Sequence, residues 1–219
     1  MKIVNLSERD SALNRFLAEL RDTEYQRNKT LFRNNIGRVG AVMAYEISKR
    51  LNYEKRTVKT PLDTAEMRLP TDKLVVATVL RAGLPFHEGF LQVFDDAESA
   101  FVSAYRTYSD ANNSGVNIHS EYIATPNLSG KVLLLVDPML ATGGSMAAAY
   151  HALLMHGKPR AVHFACVIAA PEGIDALTLA AGSDNATLWM AALDGGLNSN
   201  KYIVPGFGDA GDLCFGEKE

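Results

Sequence analysis

The sequence predicts a doubly wound α/β fold: a mostly parallel sheet flanked by helices, with a long hairpin and a small hood formed partly by the C-terminal tail. The first observation is a set of short, apolar, β-branched runs typical of strands buried on both faces, at residues 73–80, 131–136 and 160–170. The second is that helix-like stretches follow these runs, at residues 83–93, 144–156 and 173–181. Such alternation predicts strand–helix–strand units.

Two further helices are predicted before the first buried strand. Residues 11–21 place Leu13, Leu17 and Leu20 on one helical stripe, and residues 31–51 repeat the pattern. The apolar faces of both helices suit either the core of the domain or an oligomer interface, and the sequence alone leaves that choice open.

Two later segments interrupt the alternation. Residues 107–125 are polar and hold a turn-forming tract at 110–115 between strand-like flanks, which indicates a long, flexible hairpin. The tail after Trp189 is rich in glycine and is expected to be an ordered loop. Because no repeat or linker divides the chain, we predict a single domain over residues 1–219, in which residues 194–219 form a distinct C-terminal tail.

Composition excludes several classes of protein. Among 219 residues, 47% are hydrophobic and 21% are charged, as in ordinary globular domains. The net charge of −3 provides no basic field for nucleic acid. The longest uncharged run is a poor membrane span, the N-terminus lacks a signal-like apolar core, and two cysteines cannot form a disulfide framework. We expect a cytoplasmic protein with neither nucleic-acid nor membrane partners.

The segment from Asp137 to Ser145 carries the clearest chemical signal. A buried strand ends at Asp137, and a loop of small residues with Gly143 and Gly144 leads directly into a helix. Ligands of open α/β sheets bind beyond the carboxyl ends of strands. The glycine backbone, the hydroxyls of Thr142 and Ser145 and the helix N-terminus together favour a phosphate monoester.

Asp137 needs a different explanation, because its carboxylate would repel a phosphate. It suits sugar hydroxyls or a metal ion that ligates them. A purely structural alternative also exists, in which Asp137 only marks the end of the strand and the two glycines only allow a tight turn. The loop is not a Walker motif, since no lysine follows the glycines.

Two arginines follow other predicted strands. Arg81 comes after residues 73–80, and Arg106 comes after the strand-like residues 100–105. Two guanidinium groups on neighbouring strand ends can converge on a diphosphate, although arginines also flank strands as surface residues.

The tail contains Gly206, Gly208 and Gly211 in the spacing of a dinucleotide-binding motif. Only eight residues follow Gly211, too few for the helix and second strand that the motif requires. What remains is bare backbone whose amides and carbonyls can bind a planar ligand.

Residues 136–145 resemble the phosphoribosyl diphosphate (PRPP) loop of the type I phosphoribosyltransferases, in the Asp-Pro form found in the uracil phosphoribosyltransferase family. Many relatives with other base specificities carry two adjacent acids there. Further similarity lies, in the family's order, at residues 80–84, 105–106, 169–174 and 202–212. The marks span most of the chain, which is therefore identified as similar to that family.

The resemblance implies the reaction PRPP + uracil → UMP + diphosphate, with Mg²⁺ as cofactor and an oxocarbenium-like transition state. The PRPP-binding residues it implies are Arg81, Arg106, Asp137, Pro138, Met139, Leu140, Ala141, Thr142, Gly143, Gly144, Ser145 and Asp209. The uracil-binding residues it implies are Ile203, Gly208, Asp209 and Ala210. Of these residues, Arg81, Arg106, Asp137 and Asp209 are expected to be catalytic.

Other properties follow from the same resemblance. Mg²⁺ is expected to be held mainly by PRPP and water, without a dedicated protein site, and the hairpin is expected to close over the substrates. Family members are usually dimers or larger, so a homodimer or homotetramer is expected, and GTP activates some of them. Local turn bonding is the structural alternative for Asp209 and Asp212, and we expect it for Asp212.

Departures and alternatives remain. The run Pro85-Phe86-His87-Glu88 differs from the bacterial pattern, and Leu213 stands where a basic residue is common.

A transferase for another base, such as a purine, is disfavoured by the Asp-Pro loop and the tail. A pyrimidine-responsive regulator that binds nucleotides or RNA on the same fold is disfavoured by the lack of a basic stripe.

Overall fold

A computed structural model describes residues 1–108, 116–182 and 185–218, and only the backbone of residues 104–108 and 116–121. The strands in these ranges are β1 (Lys2–Asn5), β2 (Tyr53–Lys59), β3 (Thr64–Pro70), β4 (Leu74–Leu80), β5 (Glu98–Tyr108), β6 (Val116–Ala124), β7 (Val132–Val136), β8 (Met139–Leu140), β9 (Ala161–Ala169), β10 (Ala186–Leu193), β11 (Gly196–Leu197) and β12 (Ile203–Val204). The helices are α1 (Leu13–Arg21), α2 (Lys29–Ser48), α3 (Gly83–Leu91), α4 (Gly144–Leu154), α5 (Pro171–Ala181) and α6 (Ala210–Phe215).

The central sheet has the strand order β1-β10-β9-β7-β4-β5-β6, and the short strand β8 pairs with β9. The strands run parallel, except that β5 and β6 are antiparallel. The three predicted buried strands are β4, β7 and β9, and the helices predicted after them are α3, α4 and α5. The predicted α/β fold class is confirmed.

Alternate residues of the central strands enter two hydrophobic clusters, one on each face of the sheet. One cluster contains Val76 of β4 and Leu134 of β7 together with α1, α2 and α3. The other contains Val75 and Leu133 together with α4 and α5. Burial on both faces explains why these strands are apolar throughout rather than alternating.

The apolar stripes of the two N-terminal helices belong to the core. Leu13, Leu17 and Leu20 of α1 and Phe32 and Ile36 of α2 are buried in the first cluster. Of the two alternatives that the sequence left open for these faces, the structure therefore supports the core.

The tail is more regular than the predicted loop. Within it, β11 and β12 form a small antiparallel sheet, and α6 follows. The prediction of a loop was wrong there because two-residue strands and a six-residue helix are too short to show a period. The antiparallel pair β2–β3 was also not predicted, since its residues are almost all exposed and carry no burial pattern.

The predicted hairpin is present in its arms, β5 and β6, which pair from Phe101–Ala124 out to Tyr108–Val116. Residues 109–115, which include the whole of the predicted turn at 110–115, lie outside the described residues.

No helix in the described ranges is both long enough and apolar enough to cross a membrane.

Candidate active site

The carboxyl ends of β4 and β7 form the point where the strand order reverses. From β4 the chain continues through α3 to β5 on one side, and from β7 it continues through α4 to β9 on the other. Such a crevice is the usual ligand site of an open α/β sheet. Arg81 directly follows β4 and Asp137 directly follows β7, so the sheet topology places both residues at this crevice.

A cavity of about 620 Å³ opens at this crevice. Seven residues predicted from the sequence line it: Arg81, Asp137, Met139, Ala141, Ser145, Ile203 and Asp209. The remaining lining residues are Val79, Leu80, Ala82, Asn200, Lys201, Tyr202, Gly211 and Lys218. The structure thus brings the strand ends and the tail to one cavity, although they lie far apart in the sequence.

The loop after Asp137 rests directly on the first turn of α5. An added Cβ at Gly173 would lie 2.6 Å from the carbonyl oxygens of both Leu140 and Ala141. An added Cβ at Gly143 would lie 2.8 Å from the Gly173 carbonyl oxygen, and Gly143 has φ of +77°. Both positions therefore require glycine, and together they fix the path of the loop.

The same loop leads into α4 without a side-chain cap. Gly143 is the N-cap residue and offers no side-chain hydrogen bond to the first turn. The first amides of a helix have no partner within the helix, and the macrodipole makes that end positive. Since Ser145 lies in this turn and lines the cavity, the helix start can bind an anion there.

Pro138 and Leu140 do not line the cavity. Both are buried, and their carbonyl oxygens accept hydrogen bonds from β9 and the residue after it: Pro138 from the Val167 and Ile168 amides, and Leu140 from the Ala170 amide. These two residues hold the loop against the sheet. Thr142, Gly143 and Gly144 lie between lining residues but are not themselves part of the lining.

Asp137 forms part of the cavity wall at the end of β7. Its amide donates to the Ala165 carbonyl oxygen at 3.1 Å, which continues the sheet pairing by one residue. Its carboxylate accepts a long hydrogen bond of 3.4 Å from the Met139 amide. The half-buried side chain therefore places a carboxylate beside the loop, as the sequence predicted.

Arg81 is bound by the C-terminal tail. Its Nη2 donates to Asp212 Oδ1 at 3.0 Å and to the Gly216 carbonyl oxygen at 3.3 Å. Its Nε is buried and has no hydrogen-bond partner in the described part of the chain.

Asp209, rather than Asp212, makes the local turn bonds. Asp209 Oδ1 accepts from the amides of Gly211 at 2.8 Å and Asp212 at 3.1 Å, so Asp209 is the N-cap of α6. Asp212 instead pairs with Arg81, 131 positions earlier in the chain. The expectation of local turn bonding for Asp212 was therefore wrong, and no local pattern could have shown its distant partner.

Arg106 lies on β5, where its backbone pairs with Ile118 of β6. Its side chain lies outside what the structure describes, so its predicted contact with the diphosphate stays a prediction.

His87 does not line the cavity, because it is buried on α3 with Nε2 3.0 Å from Ser99 Oγ.

The tail is fastened by side chains that the sequence did not single out. Arg21 forms two hydrogen bonds with the buried carboxylate of Asp194, at 2.6 and 3.0 Å, and a third at 2.9 Å to the Gly206 carbonyl oxygen. Asp194 also accepts from the Gly206 amide at 3.0 Å. Gln26 donates to the Phe207 carbonyl oxygen at 2.8 Å. These contacts fix the backbone immediately before Gly208 and Asp209.

Two lysines of the cavity were also missed. Lys201 and Lys218 are exposed residues of its lining. Lys201 has φ of +64°, a conformation uncommon for residues other than glycine. Asn198 holds this turn, because its Oδ1 accepts from the Asn200 and Tyr202 amides at 3.0 Å each. Only the positive charge marked these residues in the sequence.

Comparison with known proteins identifies the family. The model of the family described as uracil phosphoribosyltransferase matches residues 7–217. The chain belongs to the uracil phosphoribosyltransferase family. A uracil phosphoribosyltransferase from Porphyromonas gingivalis is 53% identical over 218 residues and is covered, like this chain, over its whole length. The resemblance predicted from the sequence is confirmed, and so is the enzyme class, a pentosyltransferase.

Solved structures agree with this family at the level of the fold. The AQ2163 protein from Aquifex aeolicus superimposes with a TM-score of 0.86 at 30% identity, covering 98% of each chain. A hypoxanthine-guanine phosphoribosyltransferase from Bacillus anthracis gives a TM-score of 0.50 at 17% identity, over 74% of this chain and 81% of its own. The second similarity shows a shared fold and no more.

Proposed function

We propose that this member of the family transfers the phosphoribosyl group of PRPP to N1 of uracil, giving UMP and diphosphate. One observation carries the proposal: Arg81 and Asp137 at the strand ends and Ile203 and Asp209 of the tail line the same cavity of about 620 Å³. A two-substrate transfer requires both ligands to be held side by side.

PRPP binds with its 5′-phosphate on residues 141–145 and its ribose beside Asp137. The uncapped start of α4 supplies backbone amides and a positive pole to the phosphate. Arg81 contacts the diphosphate, and Arg106 is assigned to the same group from β5. Pro138 and Leu140 support the loop through their carbonyl bonds and not through contact with PRPP.

The charge of the cavity supports an anionic substrate once its lysines are included. Arg81, Lys201 and Lys218 are cations of the lining, whereas Asp137 and Asp209 are anions. Without the two lysines, the described lining would carry more negative than positive charge and would repel PRPP. Lys201 and Lys218 therefore contribute to PRPP binding, an effect that salt weakens because both are exposed.

The residues present also fit Mg²⁺. Asp137 and Asp209 offer carboxylate oxygens, the ligands that this hard cation prefers. In the described ranges, no group of three or more His, Cys, Asp and Glu side chains is arranged to hold a metal ion. Asp137 and Asp209 would therefore hold Mg²⁺ together with substrate oxygens, and the bound ion would neutralise part of the diphosphate charge.

In the reaction, the bond from C1 of ribose to the diphosphate oxygen breaks as the bond from C1 to uracil N1 forms, and the N1 proton is released to water. Positive charge develops on the ribose and negative charge on the leaving group. Asp137 stabilises the first charge and Arg81 the second, while the protein supplies no nucleophile. The hairpin made by β5 and β6 is assigned the role of excluding water.

Uracil is held by main-chain atoms near residues 203–210. It presents two carbonyl acceptors on either side of an N3–H donor, which backbone amides and a carbonyl can match. Cytosine reverses part of this pattern and would leave buried groups without partners, so the site rejects it. Arg21, Asp194 and Gln26 fix this backbone before the base arrives.

We also propose that the enzyme is a homo-oligomer that uses the β2–β3 hairpin. Two-stranded hairpins are marginally stable alone in water. One face of this hairpin carries Val58, Met67 and Leu69, which are 40%, 50% and 39% exposed, and Leu62 in its turn is 98% exposed. A second copy of the chain covers these side chains. Met67→Lys should lower the mass found by analytical ultracentrifugation, and an unchanged mass would contradict this interface.

Activation by GTP, which the family resemblance implies, stays a prediction.

The activity is tested with a panel of bases. Uracil, cytosine, hypoxanthine and orotate are each incubated with PRPP and Mg²⁺, and diphosphate release is measured. We expect turnover with uracil and none of comparable rate with the others. Turnover with hypoxanthine or orotate but not uracil would contradict the substrate. Saturable RNA binding without turnover of any base would favour the regulator on the same fold.

A further inference from the structure

The short helix α6 contacts two parts of the site at once. Asp209, its N-cap, belongs to the cavity lining beside Ile203. Asp212, in the first turn of the same helix, forms the ion pair with Arg81. Only Ala210 and Gly211 thus separate Asp209, in the segment proposed to hold uracil, from the Asp212 carboxylate that binds the arginine at the end of β4.

The contacts define how Arg81 is held. Its Nη2 has two acceptors from the tail, Asp212 Oδ1 at 3.0 Å and the Gly216 carbonyl oxygen at 3.3 Å. The Nε of the same planar group is buried and has no hydrogen-bond partner in the described residues. A guanidinium that is anchored at Nη2 and buried at Nε has little freedom to rotate, so its remaining donors keep a fixed direction.

The helix that carries Asp212 is itself anchored. Arg33 of α2 donates from Nη1 to the Cys214 carbonyl oxygen at 2.6 Å, and the side chain of Cys214 is buried in the core. The position of Asp212 is therefore set by the body of the domain. The Arg81 and Asp212 side chains are themselves 38% and 33% exposed, so the anchoring of α6, more than the ion pair itself, fixes the position of Asp212.

We propose that Asp212 is a positioning residue that holds Arg81 in place for the diphosphate leaving group, and that α6 thereby links the uracil segment to that group. The inference rests on the proposed function, which assigns the diphosphate to Arg81.

The test compares Asp212→Asn with Asp212→Glu and the wild type. Asp212→Asn keeps the size of the side chain but removes the charge that orients Arg81. We expect kcat to fall about tenfold and the inhibition constant of diphosphate to rise by a similar factor, whereas the inhibition constant of UMP changes less than about twofold. UMP lacks the leaving group, so its affinity reports whether α6 and the uracil segment are intact. Asp212→Glu should restore most of the loss.

A double-mutant cycle shows whether Asp212 acts through Arg81. In an Arg81→Gln background, Asp212→Asn should add less than about a twofold effect on diphosphate binding. Arg160→Gln is the matched control, because it removes another Arg–Asp ion pair, with Asp72, away from the cavity. We expect this control to retain wild-type kinetics.

The possible results distinguish a failure of the proposed function from a failure of the positioning role of Asp212. A wild type without uracil turnover overturns the proposed function. An active wild type whose Asp212→Asn variant keeps normal diphosphate inhibition overturns the positioning role. Equal losses of UMP and diphosphate affinity also overturn it, because they would show that Asp212 only keeps α6 folded.

Discussion

The guanidinium of Arg21 and the carboxylate of Asp194 face each other with two hydrogen bonds of 2.6 and 3.0 Å, although 173 positions separate them in the chain. The Asp194 side chain is only 4% exposed, and both partners also bond to the backbone of Gly206. The pair therefore joins the N-terminal helix α1 to the loop that leads to Gly208.

Removing the cation from this pair should lower the stability of the protein. Arg21→Met leaves a buried carboxylate without its partner, and we expect the free energy of unfolding to fall by about 3 kcal/mol. Urea unfolding followed by circular dichroism measures the change. Arg27→Met serves as the control, since the Arg27–Glu24 pair is 76% and 71% exposed and its loss should cost less than about 0.5 kcal/mol. Equal effects of the two variants would show that Asp194 does not depend on Arg21.

Gly173→Ala should weaken phosphate binding indirectly, by displacing the loop that binds the phosphate. The new methyl group would lie 2.6 Å from the carbonyl oxygens of Leu140 and Ala141, so the loop must move away from α5. We expect the KM for PRPP to rise about tenfold, because small displacements of a binding loop have large effects. Steady-state kinetics measure it, with Leu179→Ala on the exposed face of α5 as the control. A normal KM would show that the loop position does not control PRPP binding.

Substitutions at Lys201 can distinguish the effect of its charge on PRPP binding from the effect of its backbone conformation on stability. Lys201→Gly removes the charge and suits φ of +64°, so we expect little loss of stability but a rise of about threefold in the KM for PRPP. Lys201→Arg keeps the charge and should keep the KM. The difference between the two variants should shrink in high salt. If both variants behave like the wild type in low salt, Lys201 has no part in PRPP binding.

His163 should make the protein less stable in mild acid. Burial, with the nearby Arg160 and Arg50 cations, lowers the pKa of His163 from 6.5 to about 4. Its Nδ1 accepts a hydrogen bond from Trp189 Nε1 at 3.1 Å, which requires the neutral ring. Because the unfolded chain binds this proton first, stability falls as the pH drops from about 6.5 towards 4, by roughly 3 kcal/mol over that range.

Urea unfolding at several pH values tests this dependence. His163→Gln should flatten the slope between pH 6.5 and 4, whereas His151→Gln, at an exposed position of α4, should leave it unchanged. Burial also lowers the pKa of His87, which contributes in the same direction, so the slope should decrease without vanishing. An identical slope in wild type and His163→Gln would contradict the assignment.

The sequence predicted the strands and the loop because their constraints are local. Strands β4, β7 and β9 are buried on both faces, so each is a continuous apolar run. The loop at Gly143 needs a left-handed backbone, which only a few residue types tolerate. Both constraints appear within a few consecutive residues.

The parts that could not be predicted depend on distant partners or on short elements. The pairs Arg21–Asp194 and Arg81–Asp212 join residues 173 and 131 positions apart, and nothing near either residue specifies its partner. The helix α6 has six residues, too few to show a helical period. For its cap, Asp209, the sequence left both ligand binding and local turn bonding open, because a capping aspartate and a binding aspartate look alike in a sequence.

The most direct test is a crystal structure of the protein with UMP, a single ligand long enough to report both ends of the cavity. We predict the phosphate of UMP on residues 141–145 at the start of α4 and its base against the main chain of residues 203–210. UMP bound at another surface, or with its phosphate away from that loop, would contradict the account.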